Sequence, residues 1–378
     1  MLKCPLVAMM AAGLVLPPIS SAFSAAPNPT PMRESKLLVD FESDTTVTSD
    51  PNGAGETRAT INTDAQFVAE GTKSLGLDLS GVGGWHDHYF TIDFAQPIDI
   101  QGFTILTMDV YIPLNSLDKG VPEGGWFQFD LRTTTQNRDD ADLTEITPYR
   151  DRNLHSGWNH LLWNLKAGTD TRLTQLDFAG STNEAKPYSG PVYVDNIRLY
   201  RSFTGVQPDE KLIQGFNDAT VKDRFSGAQT VAINTDQQFV SEGTGSLEID
   251  LTGAEGGWTS DVARAEDWGK SVDVSSATAL HLDLFVPEGN QPTGWNELGF
   301  VVIGEGGEVG WEVGSGDFVP GQWNTLEIPL TPEQAKMLTN VKGIFFLRYQ
   351  DSPWKGKLYV DALRAVVPNQ APPPTAGG

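Results

Sequence analysis

Two stretches of this chain are nearly the same. Residues 61–79 read INTDAQFVAEGTKSLGLDL, and residues 233–251 read INTDQQFVSEGTGSLEIDL. Further pairs of similar segments keep the same order in both halves: 37–43 with 211–218, 103–113 with 277–287, 157–165 with 322–330, and 192–201 with 358–366. The pattern predicts two homologous domains of roughly 160 residues each, a usual domain size. Such a period is far too long for a solenoid or a propeller blade.

The first and last residues of the two repeats also predict how the rest of the chain is divided. We expect module 1 at 37–201, a linker at 202–210, module 2 at 211–367 and a disordered Pro/Gly-rich tail at 368–378. Residues 1–24 carry a lysine, an apolar run and then small residues, which is typical of a secretory signal peptide, and 25–36 read as a disordered segment. The sequence therefore predicts a secreted protein, periplasmic or extracellular.

Charge and cysteine content exclude several functions. The 26 Lys and Arg residues stand against 49 Asp and Glu, and the formal net charge of -23 repels phosphate backbones and anionic membranes. We expect no nucleic acid partner and no membrane insertion. The one cysteine, Cys4, lies inside the predicted signal peptide, so the mature chain offers no disulfide, thiolate zinc site or cysteine nucleophile.

Within each repeat the apolar residues alternate with a period of two, which predicts strands. The alternating residues are Leu106, Met108, Val110 and Ile112 in one copy, and Leu280, Leu282, Leu284 and Val286 in the other. Gly and Pro interrupt the chain at short intervals, as antiparallel sandwiches require. Only TPEQAKML, from Thr331, predicts a helix, with Thr as N-cap and Pro in the first position. The fold class is therefore all-β, with two homologous antiparallel β-sandwich (jelly-roll) domains in tandem.

A series of short motifs occurs in this order in both copies. In copy one it runs Phe41-Glu42, then EGTKSL from Glu70, then a Trp-Asn-x-Leu segment at Trp158, then VYVDNIRL from Val192. The series resembles the jelly-roll carbohydrate-binding modules of the galactose-binding-domain-like fold, and this resemblance covers almost the whole mature chain. It implies a polysaccharide ligand, with function set by the site and not by the fold alone.

The resemblance also implies one structural calcium ion per module. Its ligands would be Glu42, the backbone of Lys73 and Asp195 in module 1; and Asn217 or Asp218, the backbone of Gly245 and Asp361 in module 2. Hard oxygen ligands suit a hard cation. Since Asn217 stands in the place of Glu42 and lacks its charge, we expect calcium more in module 1.

Sugar rings stack on aromatic faces, and their hydroxyl groups pair with planar polar side chains. The segment 126–132 combines the two, because alternation puts Trp126, Gln128, Asp130 and Arg132 on one side and Phe127, Phe129 and Leu131 on the other. Trp158 and Trp323 occupy matching points of both copies, and we expect them in the cores. The predicted carbohydrate-binding residues are Trp85, Tyr89, Trp126, Gln128, Asp130, Arg132, Trp258, Trp295, Trp311, Arg348 and Trp354.

Catalysis remains an open alternative. Tyr149, Arg152 and His155 could abstract a proton from a uronic acid, as in a polysaccharide lyase, and glycoside hydrolysis by two carboxylates has no recognisable local motif. A His86-x-His88 pair could bind a transition metal, but further ligands have no clear spacing. The sequence favours non-catalytic polysaccharide binding by two modules, with an enzyme or an adhesive surface protein as alternatives. A separate carbohydrate-active enzyme as partner is also left open.

Overall fold

The structure is a computed structural model. It describes residues 35–43, 45–49, 58–79, 88–113, 127–136, 144–146, 154, 156–165, 172–182, 190–207, 209–227, 229–253, 257–294, 296–314, 317–350 and 352–367. In this part of the chain, no helix is long and apolar enough to cross a membrane.

The first module is built from eleven strands: β1 Ser35–Val39, β2 Val47–Ser49, β3 Arg58–Asn62, β4 Ser74–Asp78, β5 His88–Asp99, β6 Ile105–Ile112, β7 Phe127–Gln136, β8 Thr144–Ile146, β9 Gly157–Asn164, β10 Arg172–Thr182 and β11 Pro191–Tyr200. Sheet I has the order β3-β4-β11-β6-β9, with β1 also paired to β11, and sheet II has the order β2-β5-β10-β7-β8. All described strand pairs of this module are antiparallel.

The second module repeats this plan with ten strands: β12 Glu210–Gln214, β13 Thr230–Asn234, β14 Ser246–Asp250, β15 Gly257–Ala265, β16 Ala279–Phe285, β17 Asn296–Ile303, β18 Glu308–Gly314, β19 Trp323–Pro329, β20 Gly343–Gln350 and β21 Lys357–Val366. Sheet III has the order β13-β14-β21-β16-β19 with β12 on β21, which is the topology of sheet I, and sheet IV has the order β15-β20-β17-β18. The tandem all-β fold is therefore confirmed. Strands β1 and β12 begin inside the segments that the sequence assigned to the disordered region and to the linker.

Each core lies between the two sheets of its module, where the alternating apolar residues meet. Leu106, Met108 and Val110 are fully buried in the first core, as are Leu280 and Leu282 in the second. The predicted helix is α1, Pro332–Met337, and a capping box joins Thr331 and Gln334 through both backbone N–H groups. The strand pattern and the helix signal are both confirmed.

The repeated sequence forms the same hairpin in both modules. After β3 and β13, an aspartate caps a short 3-10 turn, and the phenylalanine of that turn stacks on a tyrosine of the central strand. Phe67 lies 4.1 Å from Tyr193 and Phe239 lies 4.3 Å from Tyr359, measured between ring centroids. Both rings rest on the face of sheet I or III that points away from the core. The near-identity of the two stretches is therefore explained by local structure.

The prediction that Trp158 and Trp323 lie in the cores is wrong. They are the neighbours of core-facing residues in β9 and β19, so they lie on the opposite face and contact Tyr111 and Phe285 edge-on. Both are only partly buried. The core of module 1 uses Trp163, which sits five residues further along β9 and is 1% exposed.

The two modules touch along the last strands of sheets I and III. The Asn164 side chain of β9 donates to the Thr325 carbonyl (2.9 Å) and accepts from the Thr325 N–H (3.0 Å). The same amide also donates to the Asp317 carbonyl, and Gln322 donates to the Leu165 carbonyl. An edge strand leaves such backbone groups without strand partners, and here a side-chain amide satisfies them.

Candidate functional site

Sheet IV carries an unusual set of side chains on its outer face, the face turned away from the core. In β17 the core-facing residues are Leu298, Phe300 and Val302, and in β18 they are Val309, Trp311 and Val313. Glu297 and Glu312 alternate with these and so belong to the outer face, yet only 1% and 6% of their surface is exposed. Two carboxylates in this position are recessed, not solvated like ordinary surface residues.

Glycines opposite the larger residues shape this part of the sheet. The register of β17 and β18 pairs Glu297 with Gly314, Gly299 with Glu312, and Val301 with Gly310. Each large side chain thus faces a residue with none, and two glycines alternate with the glutamates along the strand pair. The two glutamates are therefore diagonal neighbours on the outer face, because directly opposite positions in a sheet share a face.

Next to this strand pair a cation lies over an aromatic ring. The Arg264 guanidinium of β15 is 4.5 Å from the centroid of Phe345 in β20, and its Nε is 3.0 Å from Glu266. Phe345 shares the outer face, since its neighbours Ile344 and Phe346 are in the core. The register also places Trp258 opposite Tyr349 and Tyr349 opposite Glu297. The outer face of sheet IV therefore brings together the Phe345 ring, two carboxylates and a guanidinium, and Trp258 and Tyr349 hold neighbouring register positions.

Polar residues hold register positions across all five strands of sheet II. Thr48, Thr91, Asp177, Arg132 and Glu145 follow one another in register across all five strands. Thr91 donates its hydroxyl hydrogen to Asp177 at 2.6 Å. The opposite positions, Phe90, Ile92, Leu131 and Leu176 among them, fill the core.

The predicted residues of module 1 fall partly inside this row. Phe129 and Leu131 are buried, as expected from the alternation in 126–132. Gln128, Asp130 and Arg132 hold the alternate register positions in β7, and Tyr89 pairs with Ala179. Their side chains lie outside the described part of the structure, as do Trp85, Trp126 and, in module 2, Trp295 and the side chain of Trp258.

Two of the predicted tryptophans are core residues. Trp311 is 2% exposed and Trp354 is 1% exposed, and both belong to the hydrophobic core of module 2 together with Trp268. The expectation that Trp311 and Trp354 present a ring to a ligand is therefore wrong. In β18, Trp311 alternates in phase with Val309 and Val313, which places it inward.

Arg348 is also turned inward. It alternates in phase with the core residues Ile344 and Phe346 of β20 and is 6% exposed. The prediction that Arg348 lies on the ligand-binding outer face is therefore wrong. Burial lowers the pKa of its guanidinium. The sequence FFLRYQ has bulky residues in both phases, so alternation alone could not assign the faces. Phe345 belongs to the other phase of β20 and therefore to the outer face.

The sequence reasoning missed Glu297, Glu312 and Asp177. A signal was present for the first two, since NELGFVVI and EVGWEVG each alternate a non-core residue with large apolar ones. The assignment required knowing that β17 and β18 are neighbours, and this pairing is not visible in the sequence of either strand.

The carboxylates predicted to bind calcium in module 1 hold the loop before β4. Glu42 accepts hydrogen bonds from the Lys73 N–H (2.7 Å) and from both the N–H and the hydroxyl group of Thr72. These bonds hold the pKa of Glu42 below its usual value. Asp195 accepts from the N–H groups of Ala69 (2.8 Å) and Glu70 (3.1 Å). Burial raises the pKa of Asp195 to about 7, although these N–H groups lower it.

Module 2 builds the same loop with one charge less. The single side-chain oxygen of Asn217 accepts from the N–H groups of Thr244 and Gly245, and Asp361 accepts from Ser241 and Glu242. Asp218 instead caps the 3-10 turn that follows it. In both modules N–H groups, not carbonyl oxygens, point at the predicted ligands. This donor set does not fit a calcium ion as it stands, and calcium binding stays a prediction.

The residues considered for catalysis, Tyr149, Arg152 and His155, lie outside the described residues, and so does His86. A different histidine is well ordered by a carboxylate: His160 Nδ1 is 2.6 Å from buried Asp109, whose other oxygen accepts from Asn196. The described residues contain no group of three or more His, Cys, Asp or Glu arranged to hold a metal ion.

No protein-family model and no curated protein matches the chain. Solved structures similar to it include carbohydrate-binding modules and an exo-beta-agarase, of which the chain matches 24%. The N-terminal tandem of two family 22 modules from Paenibacillus barcinonensis Xyn10C is 12% identical, covers 92% of this chain and 100% of its own, and has a TM-score of 0.29. The first family 27 module of Caldicellulosiruptor saccharolyticus, solved with mannohexaose, is 17% identical over 45% of this chain and 98% of its own, with a TM-score of 0.34.

A family 28 module specific for non-crystalline cellulose is 16% identical, covers 44% of this chain and 96% of its own, and has a TM-score of 0.32. These scores describe a distant likeness. The fold assignment rests on the strand order and register described above.

Proposed function

We propose that this protein binds polysaccharide through the outer faces of sheets II and IV. The observation that carries the proposal is the strand pair β17–β18 of sheet IV, where Glu297 and Glu312 alternate with glycines on a face that is not part of the core. A recessed carboxylate on an outer face offers acceptors with fixed directions. Sugar hydroxyl groups are donors that can meet them.

The residues around the two glutamates suit the remaining features of a sugar, its C–H faces and its ring and hydroxyl oxygen atoms. Carbohydrate rings expose C–H faces that pack on aromatic planes, and the half-buried Arg264 guanidinium on the same face is a donor for sugar oxygen atoms. Tyr349 and Trp258 continue the register from Glu297 toward the edge of the sheet. A glycan lying across the strands would therefore pass positions held by acidic and by aromatic residues in turn.

The test uses matched charge-neutralising variants and a panel of soluble and insoluble polysaccharides. Glu297→Gln and Glu312→Gln should each weaken retention about tenfold, because a charged hydrogen bond contributes roughly 1.5–3 kcal/mol. Glu333→Gln is the control, since Glu333 is an exposed glutamate of α1 and belongs to no strand of sheet IV. Equal retention of all variants, or no retention of the unmodified protein on any glycan, would contradict the proposal.

We further infer that binding occurs without catalysis and outside the cell. The first inference is supported by the sequence, which has no recognisable local motif for glycoside hydrolysis by two carboxylates. It is tested by scoring new reducing or unsaturated ends in the same incubations. New ends would favour the lyase or hydrolase alternative. The second is supported by the signal-like residues 1–24, and N-terminal sequencing of protein recovered from culture medium would test it.

A further inference from the structure

The connection between the modules is not a free tether. Residues 203–207, which we call the strap, lie on the outer face of sheet III. The Gly205 N–H donates to Asp283 (2.9 Å), and the Val206 N–H donates to Glu242 (3.2 Å). The Gln207 N–H donates to Glu210 at 2.8 Å. Successive backbone groups of the strap are therefore bound to carboxylates of module 2.

Phe203, at the start of the strap, joins the two modules. Its ring is 5% exposed and lies 4.8 Å from Tyr200 of module 1 and 5.9 Å from His281 of module 2, between centroids. Ile105 of module 1 belongs to the same small apolar cluster. The Phe203 carbonyl accepts a hydrogen bond from Arg364, a residue of β21. Phe203 therefore contacts both modules, and His281 is its contact in module 2.

Beneath it, His281 is held between two carboxylates. Its Nδ1 is 2.7 Å from Glu210 and its Nε2 is 2.7 Å from Glu327, and all three side chains are almost fully buried. A neutral imidazole has one N–H and one acceptor nitrogen, so it cannot donate to both carboxylates. With both glutamates ionised, the two hydrogen bonds require the imidazolium form. Burial lowers the pKa of His281, but the two glutamates outweigh it and raise the pKa above its ordinary value.

The charges around the ring come from four strands. Glu210 of β12 also lies 2.8 Å from the Arg364 guanidinium, which in turn donates to Asp283 of β16 at 2.9 Å. Glu327 belongs to β19. With His281 protonated, these described residues comprise three carboxylates and two cations, so loss of the proton leaves a buried excess of two negative charges. Such an excess is costly unless water enters.

The same positions in module 1 are not ionic in this way. The register that pairs His281 with Arg364 and Glu327 pairs Thr107 with Arg198 and Leu162 in module 1. Arg198 donates to Glu70 and Asn196, and Thr107 is fully buried. The buried ionic set is therefore a property of module 2, at the place where the strap crosses it.

We propose that protonated His281 fixes the strap on module 2 and thereby locks the two modules in one orientation, and that the lock opens when His281 loses its proton at alkaline pH. Glu210 couples the two events because it accepts from both His281 and the strap N–H of Gln207. The docked-to-undocked ratio should fall up to tenfold per pH unit in the range between the ordinary and the raised pKa of His281.

The experiment measures the distance between the modules in the full chain. After Cys4→Ser, spin labels are attached to Gln96→Cys in module 1 and Ser276→Cys in module 2, both at exposed positions. Double electron-electron resonance is recorded from about pH 5 to about pH 10, a range that brackets a raised histidine pKa. The unmodified interface should give one narrow distance distribution at acid pH and a broad one at alkaline pH.

Three variants make the result specific. Glu327→Gln replaces one acceptor by an amide that can donate to a neutral imidazole, so its distribution should stay narrow at every pH. Phe203→Ala should give a broad distribution at every pH. His160→Gln, in module 1, should keep the behaviour of the unmodified protein. A distribution that does not change with pH would overturn the proposal, and so would broadening that coincides with loss of the near-UV circular dichroism of the folded modules.

Discussion

The amide of Asn164 allows the contact between the modules to be measured at one residue. In Asn164→Ala, the N–H and carbonyl groups of Thr325 lose their side-chain partner, and Thr325 is fully buried. An orphaned buried backbone group costs roughly 1–3 kcal/mol, and entry of water offsets part of this for an edge strand. We therefore expect docking to weaken by about 2 kcal/mol, or about 30-fold in its equilibrium constant.

Hydrogen exchange reads this change directly, because the Thr325 N–H is the donor in the bond that is lost. Mass spectrometry of peptides covering β19 should show exchange at Thr325 about 30-fold faster in Asn164→Ala, if exchange follows undocking. Asn159→Ala is the control. Asn159 lies on the same strand, but its amide donates within module 1, to Val110 and Gly157. Unchanged exchange at Thr325 in Asn164→Ala, or an equal increase in both variants, would refute the reasoning.

Four further results are expected. Gly71→Ala should lower the free energy of unfolding of module 1, measured in urea, by more than the roughly 1–2 kcal/mol that a positive φ alone costs. The added Cβ would lie 2.4 Å from Glu42 Oε1. Gly253→Ala is the control for the φ effect, because Gly253 has a similar φ with open space around it. Glu42→Gln should leave the thermal midpoint nearly unchanged with or without a chelator, since Asn217 fills the same role with an amide in module 2. Glu42→Ala should lower the midpoint. If a chelator lowers the midpoint of the unmodified protein and has no effect on Glu42→Gln, bound calcium is indicated instead. Thr331→Ala should cost module 2 about 1 kcal/mol by removing the capping box, measured by chemical denaturation. Folding raises the pKa of His281. Its contribution to stability is therefore full below its ordinary pKa of about 6.5 and is lost as the pH rises through the raised value. The thermal midpoint of the unmodified protein should fall more steeply toward alkaline pH than that of His281→Gln.

The sequence predicted the sandwiches because their cores are built from simple alternation. In β6 and β16 one phase is uniformly apolar, and the residues of that phase are the ones found inside. Prediction failed where both phases are bulky. Arg348 comes after two phenylalanines, and Trp158 follows a glycine at the start of its strand. The pattern around these residues therefore does not assign their side chains to the core or to the outer face.

The candidate site was predictable only in part, for a physical reason. Alternation along 126–132 identified the outer phase of β7, but a site on a sheet is assembled from neighbouring strands. The pairing of Glu297 with Gly314, and of Gly299 with Glu312, depends on the register between β17 and β18. The lock on His281 depends on even more distant partners, since Glu210 is 71 residues away in the chain.

The duplicated hairpin has a consequence for how this chain reaches its native state. Two segments of nearly equal sequence can each form the β3–β4 arrangement against either central strand, and such interchange between adjacent similar domains is a known hazard of repeat proteins. The few differences between the copies oppose it. Lys73 Nζ donates to the Glu42 carbonyl in module 1, whereas Gly245 takes that place beside Asn217 in module 2. A hairpin in the wrong module would lose the lysine contact or bring a lysine where none is accommodated, so one residue pair helps each half of the chain to find its own partner.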